Sequence, residues 1–383
     1  MNPRALLLDC FHAALAAVDA RRAVQRALAR HPLRGAWHVL AIGKAAGAMA
    51  QGAVDALGSQ VARGLVVLPE GYLPHGFDAA AHGIDVVPAS HPLPDERSLA
   101  AGERVIDFVA RMNPDAALLC LVSGGASSLV EALQPGKTLA DLQALNRWAL
   151  QSGAPITEIN AARRQLSRLK GGGLACLAGS RRVQALLISD VPGDDPRVIG
   201  SGLLHGDAAT HDVPARIVAS IGLACRAAAA TATARGLQAR VVRARLEGDA
   251  AELGTRIAAT LSRQAAGVVQ IRGGESTVRL PDEPGRGGRN QHLALAAALE
   301  LERRELPDAY VLAAGTDGID GASDDAGALV DGGTCQRARD AGCDPYQSLA
   351  RADSGTLLEA AGDLLHTGPT ATNVGDLVLA LRN

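Results

Sequence analysis

Ala116-Ala-Leu-Leu-Cys-Leu-Val-Ser-Gly-Gly-Ala-Ser-Ser-Leu-Val130 is the stretch on which the fold turns. Its apolar run from Ala117 to Val122 has the length and bounding of a fully buried strand, and it stops at Ser123-Gly124-Gly125-Ala126-Ser127-Ser128 before a helix-compatible pattern resumes. Two glycines let the backbone turn without a Cβ clash. Successive N–H groups can then converge at the mouth of the next helix, where the helix dipole favours an anion. Ser123, Gly124, Gly125, Ala126 and Ser127 are therefore candidate phosphate-binding residues. A plain strand-to-helix turn capped by its serines is the competing reading.

The same unit recurs on either side. Trp37 to Ile42 reads as a strand followed by Gly43-Lys44-Ala45-Ala46-Gly47 and an Ala-rich helix, so Gly43 and the ammonium of Lys44 are candidates to meet a phosphate or carboxylate. Val183 to Ile188 ends in Ser189-Asp190-Val191-Pro192-Gly193, which places Asp190 where a carboxylate can ligate a metal, accept a hydroxyl proton or simply cap the following turn. His91, in Ser-His-Pro-Leu-Pro, reads either as a ligand contact or as an exposed loop histidine. Strands alternating with helical patterns predict right-handed βαβ crossovers and a doubly wound, Rossmann-like parallel sheet, whose ligands bind beyond the carboxyl ends of the strands.

The second half repeats the logic. Ala266 to Ile271 runs into Arg272-Gly-Gly-Glu275-Ser276, and the glycine-rich Gly285-Arg-Gly-Gly-Arg289-Asn290-Gln291 opens a helix. Glu275 and Asn290 are candidate binding residues, and the planar fork of Arg289 can grip a carboxylate or phosphate. Tyr310 to Ala314 ends in Gly315-Thr-Asp317-Gly-Ile-Asp320, where Asp317 and Asp320 can hold Mg²⁺ together with phosphate oxygens or can simply form the turn. At 383 residues the chain predicts two α/β domains, 1–208 and 209–383, with an interdomain cleft.

Composition narrows the function classes. The net charge is −2 and only 2% of residues are aromatic, so neither a basic field nor stacking platforms are on offer to a nucleic acid. No apolar run approaches the ~18 residues of a membrane span, and six scattered cysteines without a Cys-x-x-Cys pair predict a reducing cytoplasm. Only three of 38 basic residues are lysines, Lys44, Lys137 and Lys170, which hints that Lys44 is kept for its compact charge. GxxxxGK[ST], kinase HRD and DFG signatures and GxGxxG are all missing. Positive groups, glycine amides and acids recurring at strand ends form the equipment of phosphoryl transfer.

The ordered segments GKAAGAMA, SHPLPDERS, LVSGGASSL, EINAARRQLSRLKGGGLA, LISDVPGDDP, GGESTV with GGRNQ, GTDGIDG and GPTATNVGDL resemble the glycerate 2-kinases of the MOFRL type, some of which were once labelled hydroxypyruvate reductases. The resemblance spans Gly43 to Leu377. It implies ATP- and Mg²⁺-dependent phosphorylation of D-glycerate, with Lys44, Asp190 and Arg289 as the catalytic set, small-molecule partners only, and a possible homodimer. The chain departs from the pattern at Leu203, where the family usually has Pro, and mildly at His292, Ala371 and Gly375. The alternative is an NAD(P)H-dependent hydroxypyruvate reductase, for which Glu70 after the second strand would be the ribose-binding acid.

Overall fold

The computed structural model describes residues 2–152 and 156–383. The chain forms two compact units, each with its own six-stranded sheet.

The first unit comprises Asp19–Ser220 together with Ala371–Asn373. Its strands are β1 (Trp37–Ile42), β2 (Val61–Pro69), β3 (Ile84–Ala89), β4 (Ala117–Val122), β5 (Arg182–Ser189) and β6 (Ala215–Ser220). They lie in the order β3-β2-β1-β4-β5-β6, and every neighbouring pair is parallel. This is the strand order of a doubly wound sheet, and its direction reverses between β1 and β4, the point where such sheets bind ligands. All of β4 is buried, which is why its sequence is uniformly apolar rather than alternating. In register, Ile42 faces Val122, and Val122 faces Leu187, so the loops after β1, β4 and β5 leave the sheet side by side.

The second unit comprises Met1–Val18, Ile221–Thr370 and Val374–Asn383. Its strands are β7 (Gln238–Val241), β8 (Val268–Gly274), β9 (Ala309–Gly315), β10 (Gly327–Asp331), β11 (Leu364–Leu365) and β12 (Asp376–Arg382), in the order β11-β10-β9-β12-β8-β7. Only β7 and β8 pair in parallel; the remaining pairs are antiparallel. The run Leu377–Leu381 gives no hint of this. Val378 and Ala380 join the core beneath helices Ala250–Leu261 and Arg289–Arg303, while Leu377, Leu379 and Leu381 point to the other face and are buried too. A strand covered on both faces reads alike in either orientation.

The boundaries also differ from the expected 1–208 and 209–383. The junction falls at Ser220/Ile221, because β6 lies within an Ala/Arg-rich segment of weak periodicity. The opening pattern splits in two at Asp19, whose carboxylate caps helix Ala20–Arg30 by accepting from the Arg22 N–H. The first part, Pro3–Val18, packs on Ile221–Ala234 in the second unit. Arg4 fixes it there, donating to Asp331 at 2.6 Å, Asp363 at 2.7 Å and the Leu329 carbonyl at 2.7 Å. No helix among the described residues is long and apolar enough to cross a membrane.

Candidate functional site

In the first unit the loops after β1 and β4 are laced together. Gly43 donates to the Val67 carbonyl, Ser123 to the Ile42 carbonyl, and Lys44 to the Gly124 carbonyl at 2.9 Å. Ser123 is buried, and its hydroxyl accepts the Ala45 N–H at 3.0 Å. A Cβ on Gly43 would stand 2.2 Å from that hydroxyl, so only glycine permits the junction.

The two glycines after Ser123 carry the chemistry around them. A Cβ on Gly124 would lie 2.0 Å from Asp190 Oδ2 and 3.1 Å from Asn373 Nδ2. One on Gly125 would lie 2.9 Å from the His91 ring and 3.3 Å from Lys44 Cγ. Lys44, His91, Asp190 and Asn373 thus close around a bare stretch of backbone. Lys44, His91 and Asp190 are half-buried. No backbone carbonyl among the described residues accepts the N–H groups of Gly124 and Gly125. Backbone donors, an imidazole and a carboxylate at one place, with the stem of Lys44 against them, can bind an oxyanion and move a proton.

Two expectations about this loop change. The helix after it is a single turn, Ala126–Leu129, so amide convergence rather than a long helix dipole is what the loop offers an anion. Ser127 does not simply cap it either: its hydroxyl lies 2.8 Å from that of Ser201, which donates to Asn160 Oδ1 at 3.0 Å. Ala126, fully buried, gives its N–H to the Ser123 carbonyl. Nearby, Lys170 and Glu131 form a fully buried ion pair, and burial, partly offset by Glu131, holds the Lys170 ammonium below the usual lysine range.

The second unit gathers its polar residues differently. Antiparallel pairing puts Asp376, the first residue of β12, opposite both Gly274 and Gly315, the last residues of β8 and β9. Arg289 lies in the first turn of helix Arg289–Arg303. It donates through Nε and Nη2 to Asp376 at 2.6 and 3.0 Å, and through Nη2 to Glu275 at 2.8 Å. Burial works against its charge, but the Asp376 hydrogen bonds outweigh it and hold the guanidinium above the usual arginine range. The expected open grip on an anion is therefore already filled by two carboxylates, and the trio carries a formal −1.

Asp320, expected as a metal ligand, is buried at the start of the same helix. It accepts from the Asn290 N–H at 3.0 Å, the Asn290 amide at 3.1 Å and the Gln291 N–H at 2.8 Å, a capping role. Burial pushes its carboxyl up to about 7. Asn290 is itself buried and serves Asp320. Asp317 is half-buried, and a Cβ on Gly315 would lie 3.0 Å from its Oδ1 and 3.7 Å from Asp376 Oδ1. Among the described residues no group of three or more His, Cys, Asp or Glu converges as a metal cage. Two carboxylates flanking one glycine fit Mg²⁺, which is bound through one or two carboxylates plus waters and phosphate oxygens.

Residues 6–234 match the family described as Domain of unknown function (DUF4147), and residues 268–376 match the MOFRL family. The D-glycerate 2-kinase of Thermotoga maritima is 36% identical, over 90% of each chain. The chain belongs to the MOFRL-type glycerate 2-kinase family. The crystal structure of glycerate kinase from Thermotoga maritima superposes with a TM-score of 0.89 at 34% identity, covering 99% of both chains. A protein of Agrobacterium vitis, 39% identical over 98% of this chain and 94% of its own, carries a provisional name as a hydroxypyruvate reductase. Sequence reasoning discounted His91 and missed Asn373 and Asp376. Both of the last two lie in the GPTATNVGDL segment, which resembles the family but has no apolar strand run directly before it to mark them.

Proposed function

We propose that this MOFRL-type kinase transfers the γ-phosphoryl group of ATP to the 2-hydroxyl of D-glycerate, giving 2-phosphoglycerate and ADP. The observation that carries the reading is the closure of Lys44, His91 and Asp190 around the bare amides of Gly124 and Gly125. Asp190 accepts the hydroxyl proton as the new O–P bond forms and the bond to the ADP oxygen breaks. Lys44 and the two N–H groups hold the oxyanion, whether the glycerate carboxylate or the phosphoryl oxygens, in a fixed dipolar frame that needs no reorganisation. In the second unit, Asp317 and Asp376 would hold Mg²⁺, which when bound neutralises phosphate charge. Arg289, with Glu275 and Asn290 beside it, fixes the Asp376 carboxylate.

The test is ADP release on addition of D-glycerate, ATP and Mg²⁺ to the purified chain, with the product assigned by ³¹P NMR. Release without glycerate dependence, or 3-phosphoglycerate as the sole product, would sink the reading. The provisional reductase name of the Agrobacterium relative keeps one alternative open. Against it, the turn after β1 is Gly43-Lys44-Ala45-Ala46-Gly47, without the glycines that bring backbone to a dinucleotide pyrophosphate. Loss of NAD(P)H absorbance on adding hydroxypyruvate would reverse the choice.

A further inference from the structure

The edge of the second sheet carries a cavity that plays no part in the reading above. Gln238 and Arg240 on β7 and Gln270 and Arg272 on β8 point to one face, as the period of two requires, so the apolar floor of the sheet gives way there to polar side chains. Arg256 and Arg263 from helix Ala250–Leu261 and the turn after it, and Arg304 just past helix Arg289–Arg303, complete a cavity of about 830 Å³. Five arginines line it, and no Asp or Glu does.

That imbalance is unusual in a chain whose net charge is −2. Glu300 answers Arg304 from behind. Among the described residues no carboxylate pairs with Arg240, Arg256, Arg263 or Arg272. Arg272 is the most constrained. Its Nη2 donates to Gln270 Oε1 at 2.9 Å, while its Nε is buried with no acceptor. Burial first, then the neighbouring charges of Arg256 and Arg240, pulls its guanidinium below the usual arginine range. Like charges gathered in a concavity repel, and a half-buried donor without an acceptor adds to the cost. Both penalties vanish if an anion with several charged oxygens sits among them, because guanidinium forks match phosphate geometry.

We propose that this cavity binds a small oligophosphate, an anion with two or more linked phosphate groups. Its volume falls in the range of small-molecule sites, and the lining holds no aromatic side chain to stack a base.

The experiment is isothermal titration of the full chain with inorganic tripolyphosphate, without Mg²⁺ and at low ionic strength. The wild type is expected to bind it. The variant R240E/R256E changes two exposed side chains outside the candidate site, and should weaken binding by about a hundredfold while kcat/KM for glycerate stays within about twofold. Arg272→Gln should weaken it by about tenfold. Lys44→Ala should bind tripolyphosphate as the wild type does. Failure of the wild type to bind, unchanged binding by R240E/R256E, or loss of binding in Lys44→Ala would each overturn the proposal. So would retention of a single-stranded polynucleotide by a chain that ignores tripolyphosphate, which would make the cavity a nucleic-acid contact.

Discussion

The polar cluster at the strand ends of the first unit is held by shape, and the one in the second unit by charge. Around Gly124 and Gly125 the backbone is left bare so that Asp190, Asn373, His91 and Lys44 can close upon it. Around Arg289 the guanidinium is bound by Asp376 and Glu275, and a third acid, Asp320, is spent on a helix N-terminus. The difference follows from the sheets. In the all-parallel sheet every C-terminal strand end points one way, so the polar loops after β1, β4 and β5 meet without special devices. In the mixed sheet an antiparallel strand must bring its first residue, Asp376, to the ends of β8 and β9, and a buried carboxylate at that junction requires a counter-charge.

If shape governs the first cluster, the largest effect belongs to its smallest substitution. Gly124→Ala puts a methyl 2.0 Å from Asp190 Oδ2 and 2.8 Å from its Cγ, so the carboxylate must move by an ångström or more. We expect kcat/KM for glycerate to fall by about a hundredfold or more, as misplacement of a reacting group by about 1 Å does. Thermal unfolding should change far less than activity. An alanine variant of near-normal kcat/KM would mean that Asp190 is not a reacting group.

If charge governs the second, stability should report on it as well as activity. Asp376→Ala leaves the Arg289 guanidinium with Glu275 alone, and removing one partner of a buried pair costs ~3–5 kcal/mol. Arg289 keeps 37% of its side-chain surface, so we expect about 2 kcal/mol by urea denaturation. Glu275→Gln, at a half-exposed carboxylate, should cost less than about 1 kcal/mol. Equal losses from the two substitutions would show that Asp376 is not the anchor of the trio.

The contrast also explains what the sequence disclosed. Residues after parallel strands are legible, because strand, glycine and charged side chain follow one another along the chain; Lys44 and Asp190 are read as candidates in this way. Asp376 precedes its strand, and only the antiparallel partners of β12 bring it to the site. Asn373 lies far along the chain from the unit to which it belongs, and no local pattern records that. His91 was visible, but nothing in Ser-His-Pro-Leu-Pro distinguishes a ring packed on Gly125 from one in water. Asp317 and Asp320 looked equivalent, and only burial and the N–H groups of the next helix separate them.

Support behind the first cluster should matter less than its glycines. Ser201, at φ 58, links Ser127 to Asn160, and Ser201→Ala removes both hydrogen bonds while relieving nothing in the backbone. One or two neutral hydrogen bonds are worth ~1–2 kcal/mol, and we expect kcat/KM to fall by about five- to tenfold with KM shifting less than kcat. A change confined to KM would make Ser127 a contact of ground-state binding.

The smallest effect lies in the segment that carries His91. Asp95 caps helix Glu96–Ala110 in a capping box with Ser98, and Arg97 bridges it to the region before His91 by donating to the Ser90 hydroxyl at 2.6 Å. Hydrogen bonds from Arg97, with a smaller one from Ser90, outweigh the effect of burial and hold the Asp95 carboxyl down at about 2. A carboxyl lowered in the folded state stabilises it only while ionised, so the contribution is complete above about pH 4 and disappears as the pH falls through 2. Asp95→Ala should therefore cost about 1 kcal/mol at neutral pH, a loss that shrinks as the pH falls through 2. Its kcat/KM should stay within about twofold, since Gly125 and not the cap seats the His91 ring. A larger loss of activity than of stability would show that the first cluster depends on the bridge from Arg97 as well as on shape, and the contrast with the second unit would narrow accordingly.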